Sequence, residues 1–378
     1  MTFLKALAVF LGTVIGVGVF SLPFIASKAG FFVVLGYLIA MAIVVIIEHL
    51  VFSEIVLGTE EKYRFSGYVG MYLGKGCKNF TFITSVFGFF GVLLAYLIIG
   101  GEFLRFFASA YFPASSIFYT ALFFICASIF VFLDIKVVSR VALCLIIAIS
   151  LILIIFLIKA FPLVNADYFR NFNASMLAFP FGAVLFSLWG ASIIPEVEEM
   201  FIAKTTDKKI IKKGVKSVVV AGTVISAIFY IIFIFAVFGV SGPSTSTDAI
   251  SGLYDHFAEG IIKLGFLFGI ISCFTSFVSI ALTLKKTFWF DYGVNKNLAF
   301  FLACSAPFIF FLLGAREFIK IISLTGALTL GIEGIATIFL YRAFLKKIAG
   351  KKINPALYSL IFVFALGIFL EAYYFFVK

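Results

Sequence analysis

Eleven apolar runs, each long enough to cross a lipid bilayer, leave this chain almost no room for a water-soluble domain. They cover approximately 3–27, 31–57, 80–109, 116–133, 138–160, 175–199, 214–239, 260–284, 297–314, 318–341 and 354–376. With 63% hydrophobic and 12% charged residues, a folded chain of this kind could not cover its surface with polar groups in water. The expectation is an all-α polytopic membrane protein with 11 transmembrane helices in one domain over 1–376. The net charge of +11 is an orientation signal and not a nucleic-acid footprint. With the N-terminus placed inside, 21 of the 29 Lys and Arg fall in alternate, cytoplasmic loops and eight elsewhere. A missed or extra span would scramble that split. Lys5 and the apolar run after it are read as a retained first span, because the run continues to Ser27 with glycine and proline inside it. Cys77, Cys126, Cys144, Cys273 and Cys304 are scattered, without a C-x-x-C pair, and are read as small apolar residues, not as a disulfide framework or metal site.

Within the first run, Gly12 to Pro23 reads G-T-V-I-G-V-G-V-F-S-L-P. A span has no water to satisfy loosened backbone groups, so neighbouring protein or a polar cavity must do so. Interrupted spans at matching places in two halves of a chain point to a transporter's binding site. A match exists: Gly190–Pro195, G-A-S-I-I-P, echoes Gly18–Pro23, G-V-F-S-L-P, 172 positions away. The breaks fall in runs one and six, which cross in opposite directions. The chain therefore reads as an inverted 5+5 repeat, 1–160 against 170–345, with broken helices 1 and 6 and an extra helix over 353–376.

The stretch I-G-V-G-V-F-S-L-P resembles the broken first helix of amino acid permeases in the amino acid/polyamine/organocation superfamily, closest to the amino acid/auxin permease branch. H-L-V-F-S-E at 49–54, S-G-Y-V-G-M-Y-L-G at 66–74, A-Y-L-I-I-G-G-E-F-L at 95–104 and F-S-L-W-G-A-S-I-I-P-E-V at 186–197 extend the resemblance over runs one to ten. It implies the leucine-transporter fold and a secondary active transporter that moves an amino acid by alternating access. Spans 1, 2, 6 and 7 would rock against the remaining scaffold.

An amino acid is a zwitterion, and a site at bilayer depth must pair both its charges. Half-helix N-termini suit the carboxylate, and carbonyls freed at a break suit the ammonium group. The expected substrate site is therefore Thr13, Ile15, Gly16, Val17 and Gly18 at the first break and Phe186, Ser187, Trp189 and Gly190 at the second. The resemblance further implies an aromatic gate near Phe186 or Trp189.

Ionisable groups inside a span are functional candidates by default. Glu48, Glu102 and Glu333 are expected deep in their spans as proton carriers, with His49 beside the first. Glu54 and Glu371 are placed nearer the interfaces. The resemblance implies a competing sodium site made of first-span carbonyls and the hydroxyls of Thr275 and Ser276, with Ser272 and Ser279 nearby. Some proton-coupled relatives place a span-five lysine there, but this chain has no basic residue between Arg140 and Lys159. The balance favours a proton, with sodium symport, exchange or a non-transporting sensor as alternatives. Glu196, Glu198 and Glu199, followed by six lysines up to Lys216, read first as an interfacial charged loop and second as a gate.

Other classes fit poorly. His49 and His256 are the only histidines, no H-E-x-x-H is present, and no phosphate-binding Gly-rich loop occurs. The expected partners are an amino acid, H+ or Na+, and the bilayer of the plasma membrane. No enzyme activity, cofactor, nucleic acid or obligatory protein partner is expected.

Overall fold

The computed structural model describes residues 2–133 and 135–377, and all their regular structure is helical. Cys144 falls among residues whose side chains lie outside this description. The first run breaks into α1 (Thr2–Val14) and α2 (Gly18–Ala29), bent by 48° across three residues. Gly30, at φ +110°, then reverses the chain directly into α3 (Phe31–Gly58). That conformation suits glycine, and a β-carbon there would also press on the Asn171 carbonyl of the loop overhead.

A short interfacial helix, α4 (Phe65–Leu73), leads into the long α5 (Lys75–Ala108), followed by α6 (Ser116–Phe132) and α7 (Ile135–Ala160). The sixth run is again interrupted, as α8 (Pro180–Leu188) and α9 (Ile194–Ile202). The chain continues through α10 (Lys208–Ser241), α11 (Glu259–Lys286) and α12 (Lys296–Leu312). Next come α13 (Phe318–Leu324) and α14 (Gly331–Phe344), joined by a π-helical stretch over Thr325–Leu330, and finally α15 (Tyr358–Val377).

Among the described residues, seven of these stretches are long and apolar enough to cross a membrane, and the bent first pair makes an eighth. The helices at Ser116–Phe132, Ser150–Leu163 and Lys296–Leu312 are shorter and apolar, at the places of expected spans four, five and nine.

Burial sorts the bundle. The stretch Pro180–Ile202 is 94% buried, whereas Pro355–Tyr374 is 22% buried, so the second broken helix is central and α15 peripheral. Around this centre pack α1, α3, α10 and α11, with α5 lying along α11. A helix that is apolar all round suits either place, so hydropathy alone could not rank them.

Candidate functional site at the two helix breaks

The first break frees carbonyls, and three of them meet a hydroxyl from another helix. Ser276 Oγ of α11 donates to Gly12 O at 2.8 Å, and Ser272 Oγ donates to Ile15 O at 2.7 Å. Tyr230 OH of α10 lies 2.7 Å from both Val14 O and Ser187 O, so one phenol ties the two breaks together. Groups left without such partners at this depth would destabilise the fold.

At the second break α8 stops at Leu188. Trp189 is extended, a 3-10 turn over Ala191–Ile193 follows, and α9 begins with Pro195 in its first turn. Proline is tolerated there because that N–H has no helical partner. Gly190 N donates to His49 Nε2 of α3 at 3.2 Å.

Contact between the breaks requires glycine. A β-carbon on Gly18 would collide with Ser187 Oγ and come within 2.9 Å of its Cα. On Gly16 it would fall 2.6 Å from Ser276 Oγ and 2.7 Å from Tyr96 OH.

Between the breaks lies a small cavity with about 30 Å³ open to a water-sized molecule. Thr13, Val14, Gly18, Phe186, Trp189 and Ser192 contribute from the two broken helices. Ser85, Phe89 and Tyr96 of α5, Ile280 of α11, and Thr329, Leu330 and Glu333 of the tenth span complete the lining. Of the predicted substrate residues, Thr13, Gly18, Phe186 and Trp189 line this space. Ile15, Gly16, Val17, Ser187 and Gly190 are buried beside it. Trp189 Nε1 is buried with no hydrogen-bond partner among the described residues.

The ionisable candidates separate. Glu48 and His49 are fully buried, and Glu333 is 6% exposed and lines the cavity. Thr337 and Glu333 flank Glu48. Glu102 does not join them, which corrects its expected depth. It lies near the C-terminal end of α5, partly exposed, paired with Arg105 at 3.0 Å, and lines a surface hollow with Asp248, Arg316 and Lys320. Glu371 is corrected in the opposite sense. It is 1% exposed and wedged beside Gly182 of α8, because the peripheral α15 turns that face inward. Thr275 bonds carbonyls of its own helix, Ile271 O and Ser272 O, whereas Ser276 crosses to α1.

The acidic cluster after the second break is more than a solvated loop. Glu196 and Glu198 are buried. Arg64, 2% exposed at the start of α4, lies 2.9 Å from Glu196 and 2.9 Å from Glu199. Lys286, at the end of α11, reaches the same two carboxylates at 3.3 Å, and Lys62 pairs with Glu198 at 2.7 Å. Burial works against the Arg64 charge, but Glu196 and Glu199 outweigh it and hold its pKa above the ordinary arginine value. Asp291 caps α4 from outside the helix, accepting from Arg64 N at 2.9 Å, Ser66 Oγ at 2.7 Å and Gly67 N at 2.8 Å. A second, narrow void of about 10 Å³ shares Ser85, Phe89, Ser192 and Glu333 with the cavity lining and has Arg64 in its wall.

Sequence reasoning missed Tyr96, Tyr230 and Ser192, and it gave His49 no partner. Their signals are weak: one hydroxyl among many aromatic residues marks nothing until the fold brings a carbonyl to it.

The fold has solved counterparts. The crystal structure of MhsT in complex with L-phenylalanine superimposes with a TM-score of 0.68 at 16% identity, over 97% of each chain. Mhp1, a nucleobase-cation-symport-1 family transporter in a closed conformation with bromovinylhydantoin bound, also gives 0.68, at 10% identity over 98% of this chain and 90% of that one. At such identities the likeness establishes a leucine-transporter-like fold and nothing finer. Among curated proteins, none matches the chain by sequence. The profile of the tryptophan/tyrosine permease family does match, over residues 1–373. The chain is thus a membrane transporter and not an enzyme, and it belongs to the tryptophan/tyrosine permease family.

Proposed function

We propose that this protein is a secondary active transporter that carries an aromatic amino acid across the plasma membrane by alternating access, driven by a proton gradient. The observation that carries this reading is the meeting of two helix breaks at one buried cavity. There the N-terminus of α2 meets the end of α8, and a zwitterion's two charges can be paired by backbone groups. The proposal includes a single transmembrane domain over 1–376, eleven spans with the N-terminus cytoplasmic, and the inverted repeat of 1–160 and 170–345. A position nearest the amino acid/auxin branch rests on the sequence motifs given above.

Phe89, Tyr96, Phe186 and Trp189 line the cavity and favour an aromatic side chain. The family description and the L-phenylalanine held by MhsT point the same way. The space is too small for that side chain as it stands, so Phe186 or Trp189 must move to admit it. Glu48 and Glu333 are carboxylates buried at the site, the chemistry of a proton carrier. Against sodium, Ser276 and Ser272 already donate to the Gly12 and Ile15 carbonyls that a cation at Thr275 and Ser276 would use.

The ion-pair network reads as an inner gate. Glu196, Glu198 and Glu199 belong to the broken sixth span of the moving bundle, and Arg64, Lys286 and Lys62 to the scaffold and its loop. Separation of the two groups would open the path from Glu333 to the cytoplasm.

Ligand-induced thermal stabilisation of the purified protein tests the substrate. L-Tryptophan, L-tyrosine or L-phenylalanine should raise the melting temperature, and glycine and L-lysine should not. Stabilisation by L-lysine alone would overturn the aromatic assignment.

A further inference from the structure

The first observation concerns which group holds the second break. Gly190 N is the first amide after the extended Trp189, and its acceptor is not a backbone carbonyl but His49 Nε2, at 3.2 Å. An imidazole nitrogen accepts only while it carries no proton, so in this arrangement the ring is neutral with its proton on Nδ1. The second observation is what waits beside it. Glu48 Oε2 lies 3.7 Å from the same nitrogen, Thr337 is the hydroxyl that reaches the Glu48 side chain, and His49 Nδ1 has no hydrogen-bond partner among the described residues. Both side chains are fully buried behind the break, outside the cavity lining.

We propose that His49 is a positioning residue for the second break, held on Gly190 when neutral and drawn to Glu48 when it takes up the coupling proton. This rests on the proton-coupled reading above. When a proton adds to Nε2, the bond accepted from Gly190 N–H is lost, because two N–H groups now face each other. The new Nε2–H donates to Glu48 Oε2, and the proton leaves by the same nitrogen when the ring returns. Gly190 N is thereby freed, next to Trp189, whose ring packs edge-on to His49 with centroids 5.5 Å apart. One proton thus loosens the aromatic residue that lines the cavity together with the backbone that carries it.

The surrounding charges leave His49 to Glu48. Glu333 of α14 acts on Glu48 as a neighbouring carboxyl group. Glu54 of α3 is paired with Lys216 of α10 at 2.6 Å. Glu196, Glu198 and Glu199 of α9 are held by the inner ion pairs, and Tyr230 of α10 is committed to the break carbonyls. Lys28 of α2 is exposed over the Phe24 ring.

The test is His49→Gln in proteoliposomes, with labelled L-tryptophan as the probe. A glutamine amide oxygen can still accept from Gly190 N but does not titrate. Counterflow exchange should stay within about threefold of the wild type, while accumulation driven by an imposed proton gradient falls at least about tenfold. The pH dependence of exchange should flatten. Gradient-driven accumulation and a pH profile equal to wild type in this variant would overturn the proposal. Wild type without proton-driven uptake would instead overturn the coupling reading itself. Should the variant fail to fold, hydrogen exchange of the wild type over residues 185–193 decides. Corrected for intrinsic rates, Gly190 should lose protection at the lower pH, and equal protection at both would overturn the proposal.

Discussion

Gly18 stands where the start of one half-helix touches the end of another, and the space for a side chain is already filled by Ser187. Because the nearest obstacle includes backbone, no rotamer change relieves it. Gly18→Val should therefore push α2 and α8 apart, lowering stability by about 1–3 kcal/mol and abolishing substrate binding in an equilibrium binding assay. Binding at wild-type affinity would remove Gly18 from the site. At this scale the sequence was informative where function and backbone geometry coincide. Gly16, Gly18 and Gly190 are recognisable because glycine within a span needs a reason. His49 and Tyr230 were not recognisable as partners of the breaks, since each acts on a residue more than forty positions away. Glu102 and Glu371 exchanged expected places because depth along a span and burial within a bundle are different coordinates.

At the scale of elements, the two broken helices were legible from a repeated Gly-x4-Pro inside apolar runs, a local signal that survives without knowledge of the fold. The ion-pair network was not, because its charges come from three separate parts of the chain, the loop into α4, α9 and α11. Only their assembly turns a loop-like acidic cluster into a buried ion-pair network. Arg64 is buried, so its removal leaves Glu196 charged and short of a partner. Arg64→Ala should destabilise the protein by about 3–5 kcal/mol, the range for breaking a buried ion pair. Arg64→Ala combined with Glu196→Gln should recover part of that loss, because the stranded charge goes with it. Denaturation of the two variants alongside wild type checks this. A single-variant loss below about 1 kcal/mol would mean that the pairs behave as exposed ones do and close nothing.

At the scale of the whole molecule, a central cavity between two helix breaks has buried carboxylates beside it and an ion-pair network on one side. The positions of the apolar runs anticipated an all-helical membrane fold, since length and hydropathy suffice to place a helix in a bilayer. Which helix is central was left open, because lipid and protein interior are equally apolar surroundings. The most direct test is uptake of labelled L-tryptophan into proteoliposomes, with proton and sodium gradients imposed separately. The account predicts accumulation with the proton gradient, collapsed by a protonophore, and lost in Glu48→Gln or Glu333→Gln while exchange persists. Accumulation driven by sodium alone, or proton-driven uptake intact in both carboxylate variants, would contradict it.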